Sequence, residues 1–321
     1  MLSARFRGEG RIELSQAALP SPSAGEVRVR VAACCLCGSE LRQWQAGWPV
    51  TPGHEIAGVV DQPGHPRHGA RVAIYIPVFC DACDDCATGQ THLCRNASDL
   101  IGWQRPGGYA EALNVPERCL LPLPDDVPTD LAPLLLDTIG TAAHAVRLAR
   151  RVIGAGRALV LGAGPVGLGA ILALRRLGFP DVDVIEPTAH RSAFAQDFGA
   201  RVVKPETLAA RYAVIIEASG KAQARQLALE TIAPLGAVVQ VGEAERWDVE
   251  ETRAIRRKDF FYIRSFYFPK GEYEDNLALF RADRAIYARF VDASSGLQGL
   301  PELFNDFSSG RRIKPAVILP H

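Results

Sequence analysis

The sequence predicts a two-part α/β chain: a β-rich, turn-dense first part, then a doubly wound parallel sheet, with a tail that returns to the first part. Three observations carry this. The hydrophobic pattern changes near residue 140 from short strands and turns to strands alternating with helices. A G-x-G-x-x-G loop lies between the first strand and first helix of the second part. Four cysteines at metal-ligand spacing stand in the first part.

Residues 1–136 hold short runs such as Val27–Ala33, which alternates with period two, then Ile56–Val60 and Arg71–Ile76. Turn residues crowd between them: Pro20-Ser21-Pro22, Pro52-Gly53, Pro63-Gly64 and Pro106-Gly107-Gly108. Residues 137–270 offer six strands, Ala158–Leu161, Val182–Ile185, Arg201–Val203, Ala213–Ile216, Ala237–Val241 and Phe260–Arg264. Helices at Val166–Leu177 and His190–Phe198 have apolar residues at helical spacing. Strand–helix alternation of this length implies βαβ units, and six strands is the count of the doubly wound dinucleotide fold. A helix at Asp275–Arg284 and an apolar run, Ala316–Leu319, fall in residues 271–321, which are expected to complete the first part.

Composition narrows the function classes. The chain has 321 residues, 48% hydrophobic and 22% charged, which excludes a disordered chain, a collagen-like fibre or a disulfide-stapled miniprotein. Thirty-six basic residues balance 36 acidic ones, so no surplus charge draws nucleic acid or an anionic membrane. Of the basic residues, 31 are Arg and 5 Lys, a skew ascribed to genome base composition. No apolar run reaches the ~20 residues of a membrane helix. With charges at Arg5, Arg7, Glu9 and Arg11 and no apolar h-region, the first residues are not expected to act as a secretory signal. The expected location is the cytoplasm, where spaced cysteines are metal ligands or catalytic groups more often than disulfides.

Gly162, Gly164 and Gly167 form the glycine loop. The first allows a tight turn, the second lets a pyrophosphate approach the backbone, and the third lets helix and strand pack closely. Pro165 and Val166 open the helix, whose free N–H groups and dipole face the phosphates. Glu186, 19 residues past Gly167, is placed to accept hydrogen bonds from a ribose diol. A 2′-phosphate there would meet a like charge, which favours NAD. Arg191 nearby keeps NADP open.

Cys80, Cys83, Cys86 and Cys94 are spaced C-x2-C-x2-C-x7-C, fit for a closed tetrahedral zinc–sulfur site that clips a small lobe. Iron–sulfur ligation is the rival reading. Upstream stand Cys37-Gly38-Ser39-Glu40 and Pro52-Gly53-His54-Glu55. Singly, Cys37 or His54 reads as a core residue; together, in glycine-marked turns beside a dinucleotide domain, they suggest a second, open metal site.

At these segments, with Thr91-His92-Leu93-Cys94-Arg95-Asn96, Gly107-Gly108-Tyr109-Ala110-Glu111 and Asp137 to His144, the chain resembles the zinc-containing medium-chain dehydrogenases, in the alcohol, sorbitol and threonine dehydrogenase group. The resemblance covers essentially the whole chain. It implies a GroES-like catalytic domain and a Rossmann domain. It implies catalytic zinc on Cys37, His54 and Asp137, with Glu55 as a transient ligand and water or substrate in the open position. It also places Thr141 beside the nicotinamide. The expected activity is hydride transfer from a secondary alcohol (a polyol, sugar derivative or amino alcohol) to NAD, with two zinc ions per chain. Ser39 would take the hydroxyl proton. A homodimer or homotetramer is expected, and Phe260–Phe268 could pair across a two-fold axis.

This chain departs from the family pattern at two places. A relay His is usual five residues after the first zinc Cys; here Arg42 stands, and an Arg does not shuttle protons near neutral pH. It either recognises an anionic group in the cofactor or substrate cleft or makes a surface salt bridge. Glu40 replaces the usual Asp, a change expected to shift contacts behind the zinc. Trp48 and Trp103, with Trp44, flank these motifs and read as substrate-cleft walls or as core. The alternative functions are an NADPH-dependent carbonyl or enone reductase, and a non-catalytic zinc- and nucleotide-binding protein of the same fold.

Overall fold

The computed structural model describes residues 1–97, 99–208, 211–243 and 246–320. They form two compact units, the first of Met1–Leu136, Pro269–Glu274 and Asp283–His321, the second of Asp137–Phe268 and Asp275–Ala282. One helix departs from the expected division. Residues 275–282 belong to the second unit, where Asn276 accepts a hydrogen bond from Arg147 at 3.0 Å and Leu277 and Phe280 are buried.

The first unit is built on a seven-stranded sheet. Its central strand, Glu26–Cys35, alternates buried and half-buried residues up to Val31 and is wholly buried thereafter. Period-two patterning therefore fades where the strand enters the core. Glu55–Val60 pairs antiparallel on one side, and the late strand Ala316–Ile318 pairs antiparallel near its end, Ala316 opposite Cys35. The tail thus supplies a strand to the first sheet. A separate hairpin, Leu2–Gly8 with Arg11–Gln16, turns at Glu9 and Gly10, both at positive φ. Behind it Phe6, Trp44 and Tyr109 pack around Phe304, with ring centroids 5.0–5.8 Å from it.

The second unit holds six parallel strands: Ala158–Leu161, Val182–Ile185, Arg201–Val202, Tyr212–Glu217, Ile232–Gln240 and Phe261–Arg264. Numbered along the chain, their spatial order is 3-2-1-4-5-6, the doubly wound arrangement. The core of this unit gathers apolar side chains from strands and helices, among them Leu159, Ile215, Leu229 and Val238. No helix among the described residues is long and apolar enough to cross a membrane.

Candidate functional site

Strand register brings the first candidate ligands together. Cys35 lies opposite Glu55, so Cys37, two residues on, and His54, one residue back, meet at the same end of the antiparallel pair. Gly53 makes the turn possible. Its φ is +96°, and a Cβ there would stand 2.8 Å from the Tyr109 backbone nitrogen and 2.9 Å from Cys34 Sγ. Ligand atoms of Cys37, His54 and Glu55 lie within 4.8 Å of one another, and all three residues are buried.

A buried carboxylate braces this cluster. Glu40 opens the helix Glu40–Ala46 and is fully enclosed. One of its oxygens lies 2.7 Å from His54 Nδ1, which leaves Nε2 for a metal. The other accepts from the Cys37 backbone N–H at 3.2 Å and from the Tyr109 hydroxyl at 2.6 Å. Burial, then the Glu40 charge, holds the Tyr109 hydroxyl well above its ordinary pKa, so it stays a donor. Ser39 Oγ lies 3.3 Å from Cys37 Sγ. Glu55 meets the ammonium of Lys314, and both side chains are completely buried. A thiolate, an imidazole and a carboxylate brought together in this way form a donor set that suits zinc.

Asp137 opens the second unit, one peptide bond past buried Leu136. It starts a π-helical turn, Asp137–Thr141, that runs into the helix Ala142–Arg150. Thr141 Oγ1 donates to Asp137 Oδ1 at 2.8 Å. Thr141, expected beside a nicotinamide, here also fixes a carboxylate.

The four-cysteine lobe is compact. Cys83 Sγ lies 3.6 Å from Cys86 Sγ and 3.8 Å from Cys94 Sγ, and Cys80 and Cys86 are 4.0 Å apart. Four sulfurs about 2.3 Å from one central ion would be ~3.8 Å apart. The lobe therefore fits a single tetrahedral ion and leaves no room for a multi-iron cluster. A hydrogen bond from the Ala82 backbone lowers the Cys80 thiol to about 6, while burial pushes Cys86 up to about 12. By contrast Cys34, Cys35 and Cys119 are fully buried, and burial raises their thiol pKa values.

In the second unit Gly162 (φ +92°) ends the first strand and Gly164 precedes the helix Pro165–Arg176. A Cβ on Gly167 would stand 1.9 Å from the Gly162 carbonyl oxygen, whereas one on Gly164 would meet nothing within 4 Å. The loop is tight beneath and open above, as a pyrophosphate cradle requires. Glu186 accepts from the backbone N–H groups of Ala163 at 2.7 Å and Thr188 at 2.8 Å, so its charge is held against the loop. Arg191 lies on the next helix, Ala189–Asp197.

Beside His54, Trp103 is 5.9 Å away between ring centroids. Trp48 meets Trp103 edge-on at 5.7 Å and donates its indole N–H to the Trp103 carbonyl at 2.7 Å. Arg42 stacks its guanidinium over Trp103, 4.8 Å from the ring centre. Both tryptophans are half-buried, so neither is a core residue. Sequence reasoning marked Glu40 only as a departure and missed Tyr109, Lys314 and the π-turn. A lysine in so arginine-rich a chain was the available signal for Lys314; no linear pattern announced the π-turn.

Residues 23–125 match the family described as "Alcohol dehydrogenase GroES-like domain". The chain is 27% identical over 263 residues to the L-threonine 3-dehydrogenase of Chromobacterium violaceum, covering 74% of this chain and 76% of that one. Against a second such enzyme, from an Anaeromyxobacter species, the identity is 33%, but the match spans only 59% of that relative. Among solved structures, the alcohol dehydrogenase TADH of Thermus sp. ATN1 superimposes with TM-score 0.90 at 25% identity and full coverage of both chains. Residues 23–125 thus form an alcohol dehydrogenase GroES-like domain, and by its fold, its glycine loop and these matches the whole chain is similar to the medium-chain alcohol dehydrogenases.

Proposed function

We propose that this protein is a zinc-dependent dehydrogenase that transfers a hydride from a secondary alcohol to NAD. The single observation that carries the reading is the buried group of Cys37, His54 and Glu55 braced by Glu40. Asp137 is the third ligand, supported by its Thr141 hydrogen bond and by its place on a π-turn, a helical irregularity frequent at functional sites. Its carboxylate gives a harder donor set than Cys2His. Bound there, zinc supplies Lewis acidity that lowers the pKa of a substrate hydroxyl, and NAD supplies the hydride acceptor.

The chain's own residues do the rest. Glu40 fixes the His54 tautomer. Lys314 holds Glu55, the exchangeable ligand, by a buried ion pair. Ser39 takes the hydroxyl proton and passes it outward. Gly164 and the N-terminus of helix Pro165–Arg176 seat the coenzyme pyrophosphate, with Pro165, Val166 and Thr141 lining its path. Glu186 favours the unphosphorylated ribose of NAD over NADP. The four cysteines hold a second, structural zinc. A polyol, sugar derivative or amino alcohol is the substrate class, in keeping with relatives named threonine dehydrogenase and a neighbour named galactitol-1-phosphate dehydrogenase. Eight cysteines, five of them assigned to metal and none to a disulfide, suit a reducing cytoplasm.

Metal analysis with an activity panel tests this. The purified protein should carry two zinc ions per chain and reduce NAD with alcohols. A chelator should first remove the ion at the open site, abolishing turnover, while the four-sulfur ion persists. One ion per chain, or turnover undiminished after the open site is emptied, would refute the catalytic assignment.

A further inference from the structure

We propose that the cavity of about 520 Å³ between residues 117–122 and residues 270–274 binds a small phosphate-bearing metabolite through Arg118 and Lys270. The site lies outside the dehydrogenase reading above. None of its lining residues belongs to either candidate metal cluster, and all of them fall in the first unit.

Two cations are fixed on the cavity wall. Lys270 is half-buried. Its backbone N–H donates to Thr91 Oγ1 at 2.9 Å, and its ammonium donates to the Arg118 carbonyl at 2.6 Å and lies 5.6 Å from the centre of the Phe79 ring. That engages one of three N–H donors, and no carboxylate among the described residues stands within ion-pair distance. Burial lowers the Lys270 pKa and repulsion from Arg67 adds to it, while Asp81, beyond that distance, opposes. Arg118 donates through Nε to the Phe79 carbonyl. Its two terminal nitrogens hold no hydrogen bond or ion pair among the described residues.

The acids on the cavity leave these cations unneutralised. Glu117 meets His65 at 3.6 Å and Arg67 at 3.8 Å, beyond hydrogen-bond reach and at an exposed position where such pairs are weak. Glu274 is exposed in the first turn of the helix Tyr273–Ala282 and pairs with nothing among the described residues. A half-buried cation without a counter-charge is costly, so the wall favours an anion. A planar guanidinium fork beside an ammonium point charge is the pairing that suits phosphate. The volume is that of a small-molecule site and exceeds what a bare phosphate fills, which favours a phosphate ester.

Isothermal titration of the metal-replete full chain tests this at about pH 7.5, where phosphate is mostly a dianion. The probes are inorganic phosphate, glucose 6-phosphate, glucose and succinate, each added with NAD in excess so that the glycine loop is not open to them. Wild type should bind both phosphates saturably and glucose not at all. R118Q and K270Q should each weaken binding by about tenfold, the scale of a charge-assisted hydrogen bond. E274Q removes a like charge and should tighten binding by about threefold, a gain that a damaged fold cannot produce. Tighter binding of glucose 6-phosphate than of inorganic phosphate supports an ester as the ligand. No saturable binding by wild type, undiminished binding by R118Q, no gain in E274Q, or succinate bound more tightly than inorganic phosphate would overturn the proposal. If the chain binds no NAD, the coenzyme assignment fails by itself, and the R118Q and E274Q titrations still decide this site.

Discussion

At the scale of single residues, the site depends on groups that never touch a substrate. Glu40 holds His54 and Tyr109 at once, so its loss should loosen metal before it unfolds the chain. E40Q keeps the shape but weakens the acceptor. It should lower affinity for the open-site zinc by about 10–100-fold, read by zinc content after graded chelator dialysis. Unchanged retention would show that Glu40 is only packing. The glycine loop makes a paired prediction. G167A drives a Cβ into the Gly162 carbonyl and should cost about 1–3 kcal/mol in unfolding free energy. G164A meets only open space, so its thermal midpoint should stay near wild type while its Kd for NAD rises by about tenfold or more. A G164A protein that binds NAD normally would place the pyrophosphate elsewhere.

Secondary-structure elements show what a linear reading catches and what it loses. The strands Ala158–Leu161 and Val182–Ile185 coincide with their sequence patterns, because Gly156 and Gly162 punctuate the first and Gly178 and Pro187 the second. Ile232–Gln240 begins five residues before its expected start, since Pro234 and Gly236 mimic a loop while the backbone continues along Tyr212–Glu217 through an irregular register. The π-turn at Asp137–Thr141 carries no periodic signal; it forms where packing, not propensity, sets the helix start. Of the candidate site, the grouping of Cys37, His54 and Glu55 and of the four lobe cysteines was legible from residue type and spacing. Their supports were not, because Glu40, Tyr109 and Lys314 converge from segments far apart in sequence. The helix Leu300–Ser308, which delivers Phe304 to the aromatic cluster, ends on an ion-pair network of Asp306 with Arg311 and Arg312. The hydrogen bond from Arg311 holds the Asp306 carboxyl below its usual range. A carboxylate depressed on folding contributes stability above its unfolded pKa of about 3.9 and loses it as pH falls through the folded value. D306N should therefore melt below wild type at pH 7, and the two melting curves should converge in acid. A gap that persists below that range would mean the contribution is not electrostatic.

For the molecule as a whole, the question left by the fold is what covers the open edge of the parallel sheet. One edge, Arg201–Val202, is two residues long, with Arg201 tied to Asp183 at 2.9 Å. The other, Phe261–Arg264, is longer and exposes Phe261 and Tyr262, with Phe266 and Leu235 also at the surface. Exposed apolar edges invite pairing with another chain, and soluble proteins usually blunt or cover them. A second copy related by a two-fold axis would extend the sheet and bury the same residues on both chains. The prediction is a homodimer, or a tetramer built from such dimers, in light scattering of the purified protein. F261E places like charges at an interface that meets itself, at an already exposed position where substitution should cost the isolated chain no more than about 0.5 kcal/mol. It should shift the protein toward monomer while each chain still binds NAD, because two strands separate Phe261 from Ala158–Leu161, which feeds the glycine loop. A wild type that scatters as a monomer, or an F261E variant whose assembly is unchanged, would remove this edge as the contact and leave its aromatic exposure without a structural account.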